Sequence, residues 1–146
     1  MRWQAAMSLP IDEGTEMRLC LPAILAARPM AIDFIAGVCH SLAVPVDVEH
    51  AVLSAFGEAF NNVVLHSYRD LPGEVEIEVD IARDQLAVRL RDRGRGFDPR
   101  QVQPRDEDEL PERGLGLFIM MRTMDEVRWY REGDQNVVAM TKRIVR

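Results

Sequence analysis

Apolar and polar residues alternate along the middle of the chain with the two-residue period of a β-strand that buries one face. The clearest stretch is 75–81, where Val and Ile alternate with Glu and Asp. A turn at 83–84 separates it from a second strand at 86–90, which predicts a hairpin. A looser alternation over 15–21 predicts another strand, which Pro22 ends.

Three other segments carry helical signals. Pro29 suits the first turn of a helix that runs to about Leu42, because a proline there forfeits no intrahelical hydrogen bond. Asp47 is predicted to be the N-cap of a second helix that continues to about Tyr68. A third, shorter helix is predicted over 115–124.

The last third of the chain combines a polar loop with a closing hairpin. Residues 98–113 contain three prolines and the acidic run 106–109, and they are predicted to form a mobile loop. Two strand-like runs, 125–130 and 137–144, flank a turn at 132–135. Strands and helices therefore alternate within a short chain, which predicts an α/β fold.

Composition narrows the class of protein. The 146 residues are 47% hydrophobic and 29% charged, which is typical of one soluble globular domain. We expect that domain over 15–146, with an N-terminal extension or edge strand at 1–14. The longest uncharged stretch, 34–46, is shorter than the ~20 apolar residues of a membrane-spanning helix. The N-terminus has no apolar run of signal-peptide length, so we expect a cytoplasmic protein.

Charge and cysteine content exclude further classes. With 18 basic and 24 acidic residues the formal net charge is −6, which would repel a nucleic-acid backbone. Cys20 and Cys39 lack a CxxC spacing, so neither a disulfide framework nor a cysteine zinc site is predicted. Both thiols are expected to be buried.

Three motifs carry candidate chemistry. At 100° per residue, Glu58, Asn62 and His66 share one polar edge of the second helix, although such an edge is also typical of solvated residues. The run 92–96, Asp-Arg-Gly-Arg-Gly, follows a predicted strand, and its glycines allow close backbone approach to a ligand. The run 113–117, Arg-Gly-Leu-Gly-Leu, opens a helix whose free amides suit an anion. Each motif alone could be an ordinary turn or boundary; their order together indicates a nucleotide site.

These motifs resemble those of a known superfamily. Residues 58–66 look like the N box of the GHKL ATPases, and 92–96 and 114–117 look like their two glycine boxes. The Glu-x-x-x-Asn-x-x-x-His form, the length of one domain and the lack of phosphoacceptor helices narrow the resemblance to anti-sigma-factor serine/threonine kinases of the RsbW and SpoIIAB type. It covers about 15–143. It implies a two-layer α/β sandwich, with a mixed, mostly antiparallel sheet, helices on one face, and ATP bound beneath a lid at 98–113.

The resemblance also assigns roles to residues. Glu58 would be the general base, Asn62 would coordinate Mg²⁺, and Asp92 would accept a hydrogen bond from the adenine amino group. The resemblance implies further residues around ATP. Gly94 and Gly96 would line the base, and Gly114, Leu115 and Gly116 would close around the phosphates. Arg105 and Arg113 would add positive charge from the lid, and His66 would follow on the helix edge.

The implied function is partner switching. Such a protein binds a sigma factor and uses ATP to phosphorylate a STAS-domain anti-anti-sigma protein, and its relatives suggest a homodimer. Two alternatives stay open: a nucleotide-binding regulatory module without kinase activity, which controls a partner phosphatase or transcription regulator, or a detached histidine-kinase catalytic domain. Apolar residues of the first helix, including Met30 and Ile35, could face a partner or simply pack in the core.

Overall fold

A single antiparallel sheet forms one layer of the structure. The computed structural model describes residues 14–69, 71–82, 84–96 and 115–145. Its five strands are β1 (Glu16–Pro22), β2 (Glu74–Ala82), β3 (Gln85–Asp92), β4 (Glu126–Glu132) and β5 (Gln135–Arg143). They lie in the order β1-β2-β3-β5-β4, and all four pairings within this described part are antiparallel.

The helices form the second layer. They are a 3₁₀ turn at Leu25–Ala27, α1 (Arg28–Ser41), α2 (Val46–Asn62) and α3 (Leu115–Thr123). A π-helical turn, Val63–Ser67, directly continues α2. The predicted two-layer α/β sandwich with a mostly antiparallel sheet is therefore confirmed.

The core lies between the two layers because each strand alternates its side chains. Val75, Ile77 and Val79 of β2 are fully buried, as the period-2 pattern predicts. They join one apolar cluster with Phe56 and Phe60 of α2, whose ring centroids lie 6.4 Å apart. Aromatic pairs at such a distance add to the free energy gained by burying their area. This packing fixes α2 against the sheet, and α2 carries the candidate site.

The outer face of the sheet carries a network of ion pairs. Glu78 of β2 is almost fully buried beneath arginine side chains from two neighbouring strands. Its carboxylate lies 2.8 Å from Arg91 Nε, 3.3 Å from Arg89 Nη1 and 3.8 Å from Arg18 Nη2. Burial alone would raise the pKa of Glu78, but the hydrogen bond and charge of Arg91, with Arg18, outweigh it and lower that pKa.

The predicted strands and helices within the described residues are confirmed, with shifts of at most two residues at their ends when the π-helical turn is counted with α2. Asp47 as the N-cap of α2 is wrong. The helix begins at Val46 after the extended Pro45, and Glu49 N–H donates to the Pro45 carbonyl at 2.9 Å, so Asp47 lies inside the first turn. Its negative charge still suits the helix N-terminus.

Two other expectations meet different outcomes. Cys39 is buried as predicted, but Cys20 is exposed because it lies on the outer face of the edge strand β1. In α1, Ile35 is buried in the core, whereas Met30 is exposed. The expected edge strand over 1–14 and the expected lid at 98–113 lie outside the described residues, apart from Gly14.

Candidate nucleotide-binding site

The site begins where α2 changes its helical geometry. The Tyr68 N–H donates to the Val63 carbonyl five residues earlier, at 3.0 Å, so this turn holds one residue more than an α-helical turn would. π-Helical turns of this kind are frequent at functional sites. The altered geometry brings Ser67 and Tyr68, both buried, against the end of β3.

Asp92, the last residue of β3, is buried and densely hydrogen-bonded. Its Oδ1 accepts bonds from the Ser67 hydroxyl, from the Gly94 N–H at 2.9 Å and from the Asn136 Nδ2 at 3.1 Å. All three bonds reach the same oxygen. Three donors to one oxygen restrict the rotation of the carboxylate.

The backbone after Asp92 is tied to the same helical turn. Arg93 N–H donates to the Tyr68 hydroxyl at 2.9 Å, and Arg95 N–H donates to the Ser67 carbonyl at 3.0 Å. Gly96 N–H donates to the Ser67 hydroxyl oxygen at 3.2 Å. With the bond of Gly94 to Asp92, every amide from 93 to 96 has a partner. The conformation of this glycine loop is therefore defined by its hydrogen bonds to the π turn and to Asp92.

The two glycines of this loop are required by space and by backbone conformation. A Cβ on Gly94 would lie 2.4 Å from the Ser67 hydroxyl oxygen and 2.6 Å from its carbonyl oxygen. Gly96 has φ +91°, which side-chain-bearing residues rarely adopt. A Cβ there would also lie 3.0 Å from Asn136 Oδ1. Asp-x-Gly-x-Gly is thus the sequence that lets the loop pack on the π turn.

The C-terminal part of α2, just before the π turn, faces the start of α3. A Cβ on Gly116 would lie 2.3 Å from the Glu58 Oε2, so the glycine makes room for that carboxylate. One helical turn further along α2, Asn62 Nδ2 lies 3.9 Å from Met120 Sδ. Glu58 and Asn62 are both half-buried between these helices. The predicted i, i+4 spacing therefore does place them on one edge, against the second glycine motif.

Asn62 has the chemistry that a magnesium ligand needs. Its amide nitrogen is directed at a sulfur, which leaves the carbonyl oxygen as the atom turned away from Met120. Amide and carboxylate oxygens suit Mg²⁺, which keeps several waters and is bound by few protein ligands plus phosphates. Among the described residues no group of three or more His, Cys, Asp and Glu could hold an ion alone. A single Asn beside phosphate oxygens fits this mode.

The structure brings some predicted site residues together and leaves others apart. Glu58, Asn62 and Gly116 meet between α2 and α3, and Asp92 meets Gly94 and Gly96 at the π turn. His66 is exposed. Its predicted place on the same edge as Glu58 assumed a regular α-helix, but the helix is π-helical from Val63 onward.

Four further residues were predicted around the phosphates. Leu115 is the first residue of α3 and is exposed. Arg105, Arg113 and Gly114 lie outside the described residues. Within the described part of the chain, no helix has both the length and the apolar composition to cross a bilayer.

Sequence reasoning missed Ser67, Tyr68 and Asn136. The positions of Ser67 and Tyr68 depend on the π turn, which the spacing of hydrophobic residues does not predict. Asn136 lies on β5 directly opposite Asp92 in the register, so the correct strand pairing would have found it. Its Nδ2 also donates to the Gly94 carbonyl at 2.9 Å.

Comparisons with known proteins identify the class. Residues 21–142 match the family model of the histidine kinase-like ATPase domain, and the chain belongs to this family. Within it, the chain is similar to serine-protein kinase RsbW. It is 33% identical to that of Bacillus cereus over 119 residues, 76% of this chain and 74% of the relative. It is 36% identical to that of Staphylococcus aureus over 108 residues, 67% of each chain.

A solved structure supports the fold. The structure of the RsbU and RsbW domains of Rv1364c from Mycobacterium tuberculosis superposes with a TM-score of 0.67 at 16% identity. The match covers 89% of this chain and 32% of that longer one. The resemblance to RsbW-like members of the GHKL superfamily, which the three sequence motifs predicted, is confirmed.

Proposed function

We propose that this protein is an ATP-dependent serine/threonine kinase and anti-sigma factor. It binds a sigma factor and phosphorylates a STAS-domain anti-anti-sigma protein, acting in the cytoplasm as a homodimer. The observation that carries the proposal is the course of α2, which joins two half-sites. Glu58 and Asn62 face α3, and Ser67 holds Asp92 at the end of the π turn. Nine residues separate Glu58 from Ser67, about 13 Å along a helix axis, a distance on the scale of an extended nucleoside triphosphate.

The adenine half-site rests on Asp92. Its carboxylate is buried and held by hydrogen bonds, so it can accept a hydrogen bond from an exocyclic amino group. Guanine presents a carbonyl oxygen at the corresponding position, which would face a carboxylate without a proton to share. Gly94 and Gly96 keep side chains out of the adjoining wall. This half-site therefore favours ATP over GTP.

The phosphate half-site rests on Glu58 and Asn62. Glu58 takes the proton of the substrate Ser or Thr hydroxyl, whose oxygen bonds to the γ-phosphorus as the bond to the β-phosphate oxygen breaks and ADP leaves. Asn62 would hold Mg²⁺ through its carbonyl oxygen. When bound, that ion supplies positive charge across the phosphates. Gly116 lets the backbone of α3 approach the carboxylate.

A phosphotransfer assay tests the proposal. The protein is incubated with Mg²⁺, ATP labelled on the γ-phosphate and a purified STAS-domain protein, with and without a sigma factor. Label should appear on a Ser or Thr of the STAS protein. Glu58→Gln should slow the transfer by about 10²-fold to 10⁴-fold and retain ATP binding, whereas Asp92→Asn should weaken ATP binding itself.

The same assay separates the alternatives. Label on a histidine of a separate chain would indicate a detached histidine-kinase domain. ATP binding without any transfer, together with sigma-factor binding, would indicate a regulatory module that lacks kinase activity. Glu58 in its α3-facing position favours the kinase, because a pure binding module has no use for a carboxylate beside the phosphates.

A further inference from the structure

Ser67 is the point at which the helix and the glycine loop are joined. Its hydroxyl donates to Asp92 Oδ1 and accepts from Gly96 N–H, and its carbonyl accepts from Arg95 N–H. It is almost fully buried, at 3% exposure. One side chain and one carbonyl thus contact three of the five residues in the run 92–96.

The bonds to Asp92 are one-sided. Ser67, Gly94 and Asn136 all donate to Oδ1, and among the described residues no donor reaches Oδ2. The described part of the chain also contains no side-chain polar atom that is buried without a partner. The residue as a whole is 6% exposed. A carboxylate held in this way has one oxygen fixed by three donors, while its other oxygen has no donor in the part of the chain that the structure describes.

We propose that Ser67, with Asn136, is a positioning residue that sets the base specificity of the nucleotide site. Resting on the proposed ATP site, this inference adds that the two side chains hold Oδ1 so that Oδ2 meets the amino group of adenine. Without them Asp92 keeps, of these three bonds to Oδ1, only the bond from Gly94 N–H and can rotate about its Cα–Cβ and Cβ–Cγ bonds. An acceptor with a fixed direction discriminates between ligands better than one that must be ordered on binding.

The test compares two nucleotides that differ in one group. ATP carries the exocyclic amine, and purine riboside triphosphate lacks it. Affinities for both, with Mg²⁺, are measured by calorimetry on the wild-type protein, Ser67→Ala and Asn136→Ala. The matched control is Ser41→Ala, because Ser41 also donates a hydroxyl bond, to the Gly37 carbonyl at 2.9 Å, but lies at the exposed end of α1.

We expect Ser67→Ala to weaken ATP binding by about fivefold to tenfold, the effect of one lost charge-assisted hydrogen bond among three. Binding of purine riboside triphosphate should change less than about twofold, so the preference narrows. Asn136→Ala should act in the same direction and decides the question if Ser67→Ala does not fold. Ser41→Ala should change neither affinity.

Two results would overturn different conclusions. If the wild-type protein prefers ATP but both variants weaken the two nucleotides equally, Ser67 and Asn136 are merely structural and the inference is wrong. If the wild-type protein binds neither nucleotide, or Asp92→Asn leaves the preference unchanged, the proposed adenine site itself is wrong.

Discussion

Gly116→Ala separates the stability of this protein from its activity. The new methyl group would lie 2.3 Å from Glu58 Oε2 and 3.1 Å from Cδ, but 3.5 Å from Cβ, which is an ordinary contact. The clash therefore falls on the far end of a flexible side chain. Glu58 can relieve it by rotating, and rotation moves the carboxylate away from its place beside α3.

The expected change in stability is small. Displacing Glu58 to a less favourable rotamer costs about 0.5–1.5 kcal/mol. Replacing a helical glycine by alanine returns up to about 1 kcal/mol. The two nearly cancel, so the free energy of unfolding should change by less than about 1 kcal/mol. Activity should fall far more, because a displaced general base forfeits about 10²-fold to 10⁴-fold in the rate of phosphotransfer.

Urea unfolding and the STAS phosphotransfer assay measure the two quantities. Gly37→Ala is the matched control, since no atom of the described residues outside the local helix backbone lies within 4 Å of a Cβ at that position of α1. It should stabilise the protein by about 0.5–1 kcal/mol and leave the rate unchanged. In a Glu58→Gln background, Gly116→Ala should lower the rate by no more than about twofold, because the two changes act through one group. A full further loss there, or normal activity of Gly116→Ala alone, would refute the reasoning.

Three other predictions concern the scaffold. Ala43 follows α1 with φ +51°, a conformation that favours glycine. Ala43→Gly should therefore raise the free energy of unfolding by about 0.5–1 kcal/mol in urea titrations. A lower free energy of unfolding would show that the backbone of Ala43 is not strained. Because the pKa of Glu78 is lowered in the fold, its contribution to stability is present above the ordinary value near 4.5 and disappears as pH falls through the lowered value. Glu78→Gln should therefore cost about 1–3 kcal/mol at pH 7 and progressively less below about pH 4, and a constant difference would exclude this linkage. Burial raises the pKa of Cys39 to about 11, so a maleimide at pH 7 should label the exposed Cys20 first and Cys39 only on unfolding, as mass spectrometry of the peptides would show.

The hydrophobic pattern predicted the strands and helices well, because an element that buries one face repeats its apolar residues with the period of that element. The alternation over 75–81 gave β2, and its predicted inward residues are buried. The same pattern cannot predict burial on the polar face of a strand, where charged side chains of neighbouring strands provide the cover. Glu78 was expected on a solvent-exposed face, but arginine side chains of β1 and β3 bury it. This depends on the register of β2 with its hairpin partner β3 and with β1, which lies far from it in the chain.

The candidate site was predictable where its geometry is that of a regular helix. Glu58 and Asn62 share an edge because α2 is α-helical between them. From Val63 onward the helix is π, so the angular argument for His66 loses its basis and Ser67 takes a place that spacing cannot foresee. Asn136 was missed for a different reason, since a contact across β3 and β5 requires the strand order.

The π turn is also what couples the two half-sites. A regular α-helix would continue the edge of Glu58 and Asn62 past the sheet, without a serine against the strand end. The extra residue lets Ser67 pack on Gly94 and hold Asp92, while Asn62 stays against Met120. Both proposed half-sites thus contact one continuous helix, whose core-facing Phe56 and Phe60 are fully buried. The bonds of Ser67 to Asp92 and to the glycine loop do not involve α3. We therefore expect a movement of α3 that displaces Glu58 to alter the proposed phosphate half-site more than the proposed adenine half-site.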